Sequence, residues 1–160
     1  MERRSRILVV DDHPNNVELI VSALAEQDFP HEIVAARDGA EALDYLLRRG
    51  AFAGHNDAPP DVVLLDLKMP RVDGFEFLRE LRANDPFKMI PVVVFTSSGD
   101  EGDRLKSFQL GANAYVEKPV DYEEFLQAIH AISAFWAVLN QPPPASLWNA
   151  SQSTGLRAAA

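Results

Sequence analysis

Five short apolar runs punctuate the chain, at residues 7–10, 32–36, 62–65, 92–95 and 114–116. They are too short for helices and rich in Val, Ile and Leu, the pattern of strands covered on both faces. Between them, apolar residues recur at helical spacing. Val17, Ile20, Val21 and Leu24 predict a first helix over residues 15–28, and Ala42, Leu43, Leu46 and Leu47 a second over 39–49. Phe75, Leu78 and Leu81 predict a third over 75–84, and a fourth, over 103–110, is stopped by Gly111. The fifth starts near Asp121, a suitable N-cap, with Glu123 and Glu124 in the first turn, where the helix dipole favours acids. Regular strand–helix alternation predicts an α/β fold: a doubly wound, five-stranded parallel sheet with helices on both faces. Two stretches break the alternation. Residues 50–60 form a long Gly/Pro/Asn-containing loop, and residues 141–160 read as a Pro/Ser/Ala-rich tail with little fixed structure. The expected domain is therefore residues 1–140. Trp148, in the tail, is a candidate docking point.

Composition narrows the picture. The 160 residues contain no cysteine, which excludes disulfides and thiol chemistry, and the 47% apolar content suffices for one core. A net charge of −9 argues against non-specific nucleic-acid binding. No signal-peptide core or membrane-length apolar stretch is evident, so a cytoplasmic location is the expectation. His13, His31, His55 and His130 show no ligand spacing and are assigned neither metal nor catalysis.

The chemistry lies just beyond the strands. Asp11 and Asp12 follow the first, Asp66 the third, Thr96-Ser97-Ser98 the fourth, and Lys118-Pro119 the fifth. In a parallel sheet these ends share one edge, where open α/β folds bind ligands. Taken singly, each has an ordinary reading: a helix start, a loop with local hydrogen bonds, a solvated lysine. Together they converge. Like charges at about 4 Å and an effective dielectric near 20 repel by roughly 4 kcal/mol per pair. Protons or a cation must relieve that, and an all-oxygen set favours Mg²⁺. A carboxylate such as Asp66 is also a competent nucleophile toward phosphorus, with Lys118 and Thr96 placed to hold phosphoryl oxygens.

The run Asp66-Leu67-Lys68-Met69-Pro70-Arg71-Val72-Asp73-Gly74 resembles the phosphoacceptor signature of two-component response-regulator receiver domains. Asp11-Asp12, Thr96, Tyr115 and Lys118-Pro119 match the family's acidic pair, switch hydroxyl, switch aromatic and lysine–proline, and the resemblance covers about residues 5–140. It implies a flavodoxin-like fold of strand order 2-1-3-4-5. It also implies that Asp66 is phosphorylated by a histidine kinase, and that Asp12, Asp66 and the Lys68 backbone carbonyl ligate Mg²⁺, with Asp11 acting largely through water. Lys118 would pair with the phosphoryl group, and Thr96 would move toward it as Tyr115 turns inward. Ser97 would leave room for the donor, and the Lys118–Pro119 bond would be cis. Residues 99–102 read either as a solvated turn or as the mobile loop that a Thr96 shift requires.

No DNA-binding or enzymatic domain is expected in the tail, so output should be a change in protein contacts. From Ala131 to Leu139 only Ser133 is polar, and Phe135 and Val138 lie off the core stripe. Either the tail covers Phe135, or Phe135, Trp136, Val138 and Leu139 form a homodimer interface. The long 50–60 loop, the Phe135-Trp136 ending and the missing output domain resemble the stand-alone regulators paired with bacteriophytochrome histidine kinases. Two rivals share the aspartyl-phosphate chemistry. A phosphorelay shuttle would pass the group to a histidine phosphotransfer protein. A haloacid-dehalogenase-like phosphatase would need an acid two residues after Asp66, where Lys68 stands. The expectation is a signalling module and not an enzyme, beyond self-catalysed phosphotransfer and autodephosphorylation.

Overall fold

A computed structural model describes residues 4–144. Five parallel strands, β1 (Ser5–Val10), β2 (His31–Ala36), β3 (Val62–Leu65), β4 (Val92–Thr96) and β5 (Ala114–Glu117), form one sheet. Their order is β2-β1-β3-β4-β5, so β1 and β3 sit inside and the direction of winding reverses between them. Five helices connect or follow them: α1 (Pro14–Ala25), α2 (Gly39–Leu47), α3 (Gly74–Ala83), α4 (Glu101–Gln109) and α5 (Tyr122–Ser133).

Alternation along the strands divides the core in two. Leu8, Val10, Val63 and Leu65 point to one face, where they meet Leu43 and Leu46 of α2 and Phe77, Leu78 and Leu81 of α3. Ile7, Val9, Val62 and Leu64 point to the other, against Ile20 and Leu24 of α1 and Phe125 and Ile129 of α5. This double coverage is why the runs are apolar throughout. α4 is different: Ser107 is its single buried residue, and Leu105 and Phe108 are exposed. It rests on α3 through the Lys106 ammonium, 4.3 Å from the centre of the Phe75 ring.

Helix starts follow one chemical rule. Asp38, Asp73, Asp100 and Asp121 cap α2, α3, α4 and α5, each accepting the backbone N–H three residues on, from Glu41, Glu76, Asp103 and Glu124. Each cap satisfies an orphan donor and places charge at the positive end of the dipole. α1 has no side-chain cap and starts on Pro14 instead. Asp11, three residues before Pro14, accepts the His13 N–H at 2.9 Å.

Several boundaries moved. α1 ends at Ala25, three residues short of the expected end, and α4 starts at Glu101, taking in Gly102. The 50–60 loop contains a 3-10 turn, Gly50–Phe52, and packs on α2: His55 stacks on Tyr45 at 4.4 Å and the Tyr45 hydroxyl donates to Asp57 at 2.6 Å. Beyond α5 the chain continues as a π-helical segment, Ala134–Leu139, tied to the start of β1 by Ser5 Oγ donating to the Ala137 carbonyl at 2.5 Å. Trp136 packs on the α1/α5 core, while Phe135, Val138 and Leu139 stay exposed. Most of the tail, with Trp148, lies outside the described residues. The expected cis Lys118–Pro119 bond is not found. There is no cis peptide bond among the described residues, and the trans isomer is the one an X-Pro bond prefers by ~0.5–1 kcal/mol.

At the amino edge of the sheet, Arg82 ties two connections together, α3–β4 and α4–β5. It donates to the carbonyls of Lys88 and Ile90, each at 2.8 Å, to that of Gly111 at 3.1 and 2.8 Å, and to Asn113 Oδ1 at 3.0 Å. Arg82→Met would fill similar space and leave the three carbonyls without that donor, while Asn113 Oδ1 would keep the Val92 N–H. It should lower unfolding free energy by about 2–4 kcal/mol in urea denaturation, with the m-value unchanged.

Candidate functional site at the carboxyl edge of the sheet

The exits of β1, β3, β4 and β5 deliver Asp11, Asp66, Thr96 and Lys118 to one crevice, as the strand ends foretold. Asp11, Asp66 and Thr96 are buried, at 4%, 5% and 1% exposure. Lys118 spans the two acids, with Nζ 2.7 Å from Asp11 Oδ2 and 3.4 Å from Asp66 Oδ2. The four donors Asp11, Asp12, His13 and Asp66 each offer a ligand atom within 4.8 Å of the others.

Local backbone explains why Asp66 faces the crevice. Its N–H donates to the Val10 carbonyl at 2.9 Å, continuing the β1–β3 ladder one step past the strand. Its Oδ1 accepts the Leu67 N–H at 2.9 Å. The loop then closes on itself through Gly74 N–H to the Leu67 carbonyl at 2.9 Å. A Cβ on Gly74 would stand 2.4 Å from the Asp66 carbonyl oxygen, so glycine is required there for close approach.

The charge balance is uneven. Burial pushes the Asp66 carboxyl above the usual carboxylate range, and nearby Asp11 adds to this. The Lys118 ammonium opposes burial, helped by hydrogen bonds from Thr96 and Leu67, and together they do not cancel it. Three acids face one ammonium, so a cation is in deficit. Asp12 Oδ1 makes the same point: it is buried and accepts no hydrogen bond, although His13 Nδ1 lies 2.9 Å away. An oxygen-rich donor set with an unsatisfied buried carboxylate oxygen fits a hard divalent ion.

Tyr115 is half-buried, and its hydroxyl donates to the Ser98 carbonyl at 2.8 Å, tying β5 to the loop after β4. Thr96 and Lys118 are joined through the backbone, Lys118 N–H donating to the Thr96 carbonyl at 2.6 Å. Ser97 lines the open side of the crevice with His13, Asn16 and Tyr122. Lys68 is exposed, two residues past Asp66.

Spacing gave no hint of two of these neighbours. His13, set aside on ligand spacing, stands at the rim of the acid cluster, 66% exposed. Asn16 donates to Asp11 Oδ2 at 3.4 Å. Both follow Asp11 closely on the turn into α1, and their proximity to an acidic dipeptide was the available signal.

Fold and site together define a receiver domain, and comparison with known proteins agrees. The response regulator receiver domain family matches residues 7–130, and the chain belongs to it. Among its relatives is Response regulator Rcp1 of Synechocystis, 35% identical over 130 residues, which span 81% of this chain and 87% of that protein. Rcp1 has been solved in a Mn²⁺-bound form, with a TM-score of 0.82 and 32% identity over 88% of this chain and 99% of that one. The phosphorylated cyanobacterial phytochrome response regulator RcpA superposes with a TM-score of 0.83 at 37% identity, covering 89% of this chain and all of the other. The bacteriophytochrome response regulator RtBRR is 44% identical with a TM-score of 0.70, over 97% and 93% of the two chains. This chain is thus a receiver-domain response regulator, similar to regulators that carry phytochromes in their names.

The uneven charge has a consequence for stability. Because burial raises the folded-state pKa of Asp66, ionising it costs stability as pH rises through that value, and the cost disappears on acidification. In metal-free buffer, Asp66→Asn should therefore raise the melting temperature at pH 7.5 by about 2–4 °C, an effect on the order of 1 kcal/mol. The gain should shrink toward pH 4. Lys118 keeps Asp11 as its partner in this variant. Calorimetric scans of both proteins across pH check this.

Proposed function

We propose that this protein is a single-domain response regulator whose Asp66 accepts a phosphoryl group from a histidine kinase, with Mg²⁺ as cofactor. The observation carrying this reading is the Lys118 ammonium bridging two buried carboxylates beside the Thr96 hydroxyl. The transfer needs a nucleophilic carboxylate, a cationic clamp and a hydroxyl donor on one rigid edge, and these side chains supply them. Asp66 attacks the phosphorus of a phosphohistidine, forming a P–O bond as the P–N bond breaks, and the departing imidazole retains the electron pair and takes up a proton. Ser97 keeps the approach open on that side.

Asp12, Asp66 and the Lys68 carbonyl would hold the ion, with Asp11 largely through water. Bound there, Mg²⁺ supplies positive charge that offsets the carboxylates and polarises the phosphoryl oxygens. Lys118 then exchanges part of its contact with Asp66 for the phosphoryl oxygens. Phosphorylation brings about −1.5 to −2 charge to a pocket already short of cations. Thr96 is the nearest hydroxyl to respond. Its movement would disturb the 97–100 loop, to which Tyr115 is bonded through Ser98, and Tyr115 would turn inward.

The receiver occupies residues 1–140, with residues 141–160 a tail, and the protein acts in the cytoplasm without nucleic acid or membrane. Among the described residues no helix is long and apolar enough to cross a membrane. Output is a change in protein contacts, through a homodimer made by Phe135, Val138 and Leu139; Trp136, expected in the same face, packs on the core beneath them. The exposure of Phe135 (50%), Val138 (52%) and Leu139 (71%) supports an interface there. The cognate kinase is a bacteriophytochrome, as the names of RcpA and RtBRR suggest by similarity.

Incubation with a phosphorylated phytochrome kinase and Mg²⁺ should label the wild type, with Asp66→Asn losing all acid-stable, base-labile phosphate. Labelling by an unrelated kinase alone would remove the phytochrome assignment, and labelling of Asp66→Asn would remove the site. Sedimentation at tens of micromolar should give a dimer mass, with Phe135→Glu/Leu139→Glu monomeric. A monomeric wild type rules the interface out.

A further inference from the structure

The loop from β3 to α3 carries a backbone strain with no role in the chemistry so far. Arg71 has φ +62°, in the left-handed region that non-glycine residues avoid. A glycine would sit there freely, yet the position holds an arginine. Its guanidinium makes a two-pronged contact with Asp38, Nε to Oδ2 at 2.7 Å and Nη2 to Oδ1 at 3.0 Å. Asp38 is 5% exposed and already caps α2 through the Glu41 N–H. A second tie lies next to it: Gly39 N–H donates to the Val72 carbonyl at 2.8 Å. A Cβ on Gly39 would stand 2.6 Å from that oxygen, so the two backbones meet closely.

These ties pin residues 71 and 72 to the N-terminus of α2. Asp66, Leu67 and Gly74 pin the other end of the loop by the bonds described above. Lys68, Met69 and Pro70 lie between the two anchors. A left-handed residue in a mobile surface loop would relax; here a buried carboxylate, itself held by a helix start, keeps it in place. Planar bidentate pairing makes that restraint directional, which an ammonium at the same place would not supply.

We propose that the Arg71–Asp38 fork is a positioning device for the metal site, setting the height of the Lys68 carbonyl relative to Asp12 and Asp66. This rests on the metal reading given under Proposed function and adds to it two residues that touch neither ion nor phosphoryl group. Partners one shell out from a metal commonly tune its affinity by about 10–100-fold.

The test is calorimetric titration of the full-length protein with MgCl₂, for wild type, Arg71→Gly, Asp38→Asn and the double variant, beside melting curves in EDTA. Arg71→Gly keeps the backbone angle without strain and loses the fork, so its metal-free melting temperature should be within about 2 °C of wild type. Asp38→Asn retains a good N-cap and weakens the fork. The expected result is a Mg²⁺ Kd about tenfold weaker in Arg71→Gly, a loss of the same sense in Asp38→Asn, and no further loss in the double variant. A Kd within twofold of wild type in Arg71→Gly overturns the proposal. So does a loss of affinity matched by a large fall in metal-free melting temperature in both single variants, which is what a merely structural staple would give. If Arg71→Gly does not fold, the Asp38→Asn titration decides by the same criteria. A folded wild type that binds no Mg²⁺ removes the metal reading and this proposal together, whereas normal wild-type binding with unaffected variants removes only the proposal.

Discussion

The molecule is organised around an electrostatic deficit. Asp11, Asp12 and Asp66 crowd one crevice with a single ammonium, Lys118, between two of them. At the separations found, each uncompensated pair repels by several kcal/mol even at an effective dielectric near 20. A pocket in that state is tuned to take up positive charge, and burial keeps the Asp66 carboxyl above its ordinary range until it does. The same deficit would make phosphorylation, which is general in this family, a large perturbation. Added negative charge has few places to go, and Lys118 and Thr96 are the groups within reach. A site built this way sacrifices stability in the resting fold for sensitivity to its ligand, the trade expected where function and folding compete for the same residues.

The scaffold works because parallel strands end together. β1, β3 and β4 are buried on both faces, so their exits are held more firmly than any loop could hold them. Close backbone contacts refine this: Gly74 against Asp66, and Gly39 against Val72. The more distant face is looser. α4 buries only Ser107, and its side-chain ties are a cation–π contact with α3 and the Ser98–Asp103 hydrogen bond, so it is the helix with the smallest buried face. Rigid support at the acids and weak anchorage at α4 suit a device in which local charge is read out as altered surface.

The C-terminal end follows a different logic. After α5 the backbone widens into a π-helical segment, which presents Trp136 and Ala137 to the α1/α5 core and leaves Phe135, Val138 and Leu139 outside. The Ser5–Ala137 hydrogen bond holds that segment to the first residue of the sheet. An apolar surface anchored in this way keeps a defined shape, as an association face requires.

Much of this was legible in the chain. Continuous apolar runs demand strands covered on both sides, helical periodicity supplies the covers, and parallel connection puts Asp11, Asp66, Thr96 and Lys118 on one edge. Those inferences succeed because period and polarity are local properties with few structural solutions. Helix ends moved by a few residues, because apolar periodicity does not mark a terminus: α4 starts two residues early, where Asp100 caps it. The isomer at Lys118–Pro119 was also beyond pattern, since the intrinsic preference is small. So were Arg71 and Asp38, 33 residues apart: neither type nor spacing announces the pair, and only the packing of α2 against the β3–α3 loop brings them together. The sequence by itself determined which chemistry gathers at the sheet edge. Tertiary structure alone decided how that chemistry is held, because long-range ion pairs and close backbone approaches depend on the path of the chain in space.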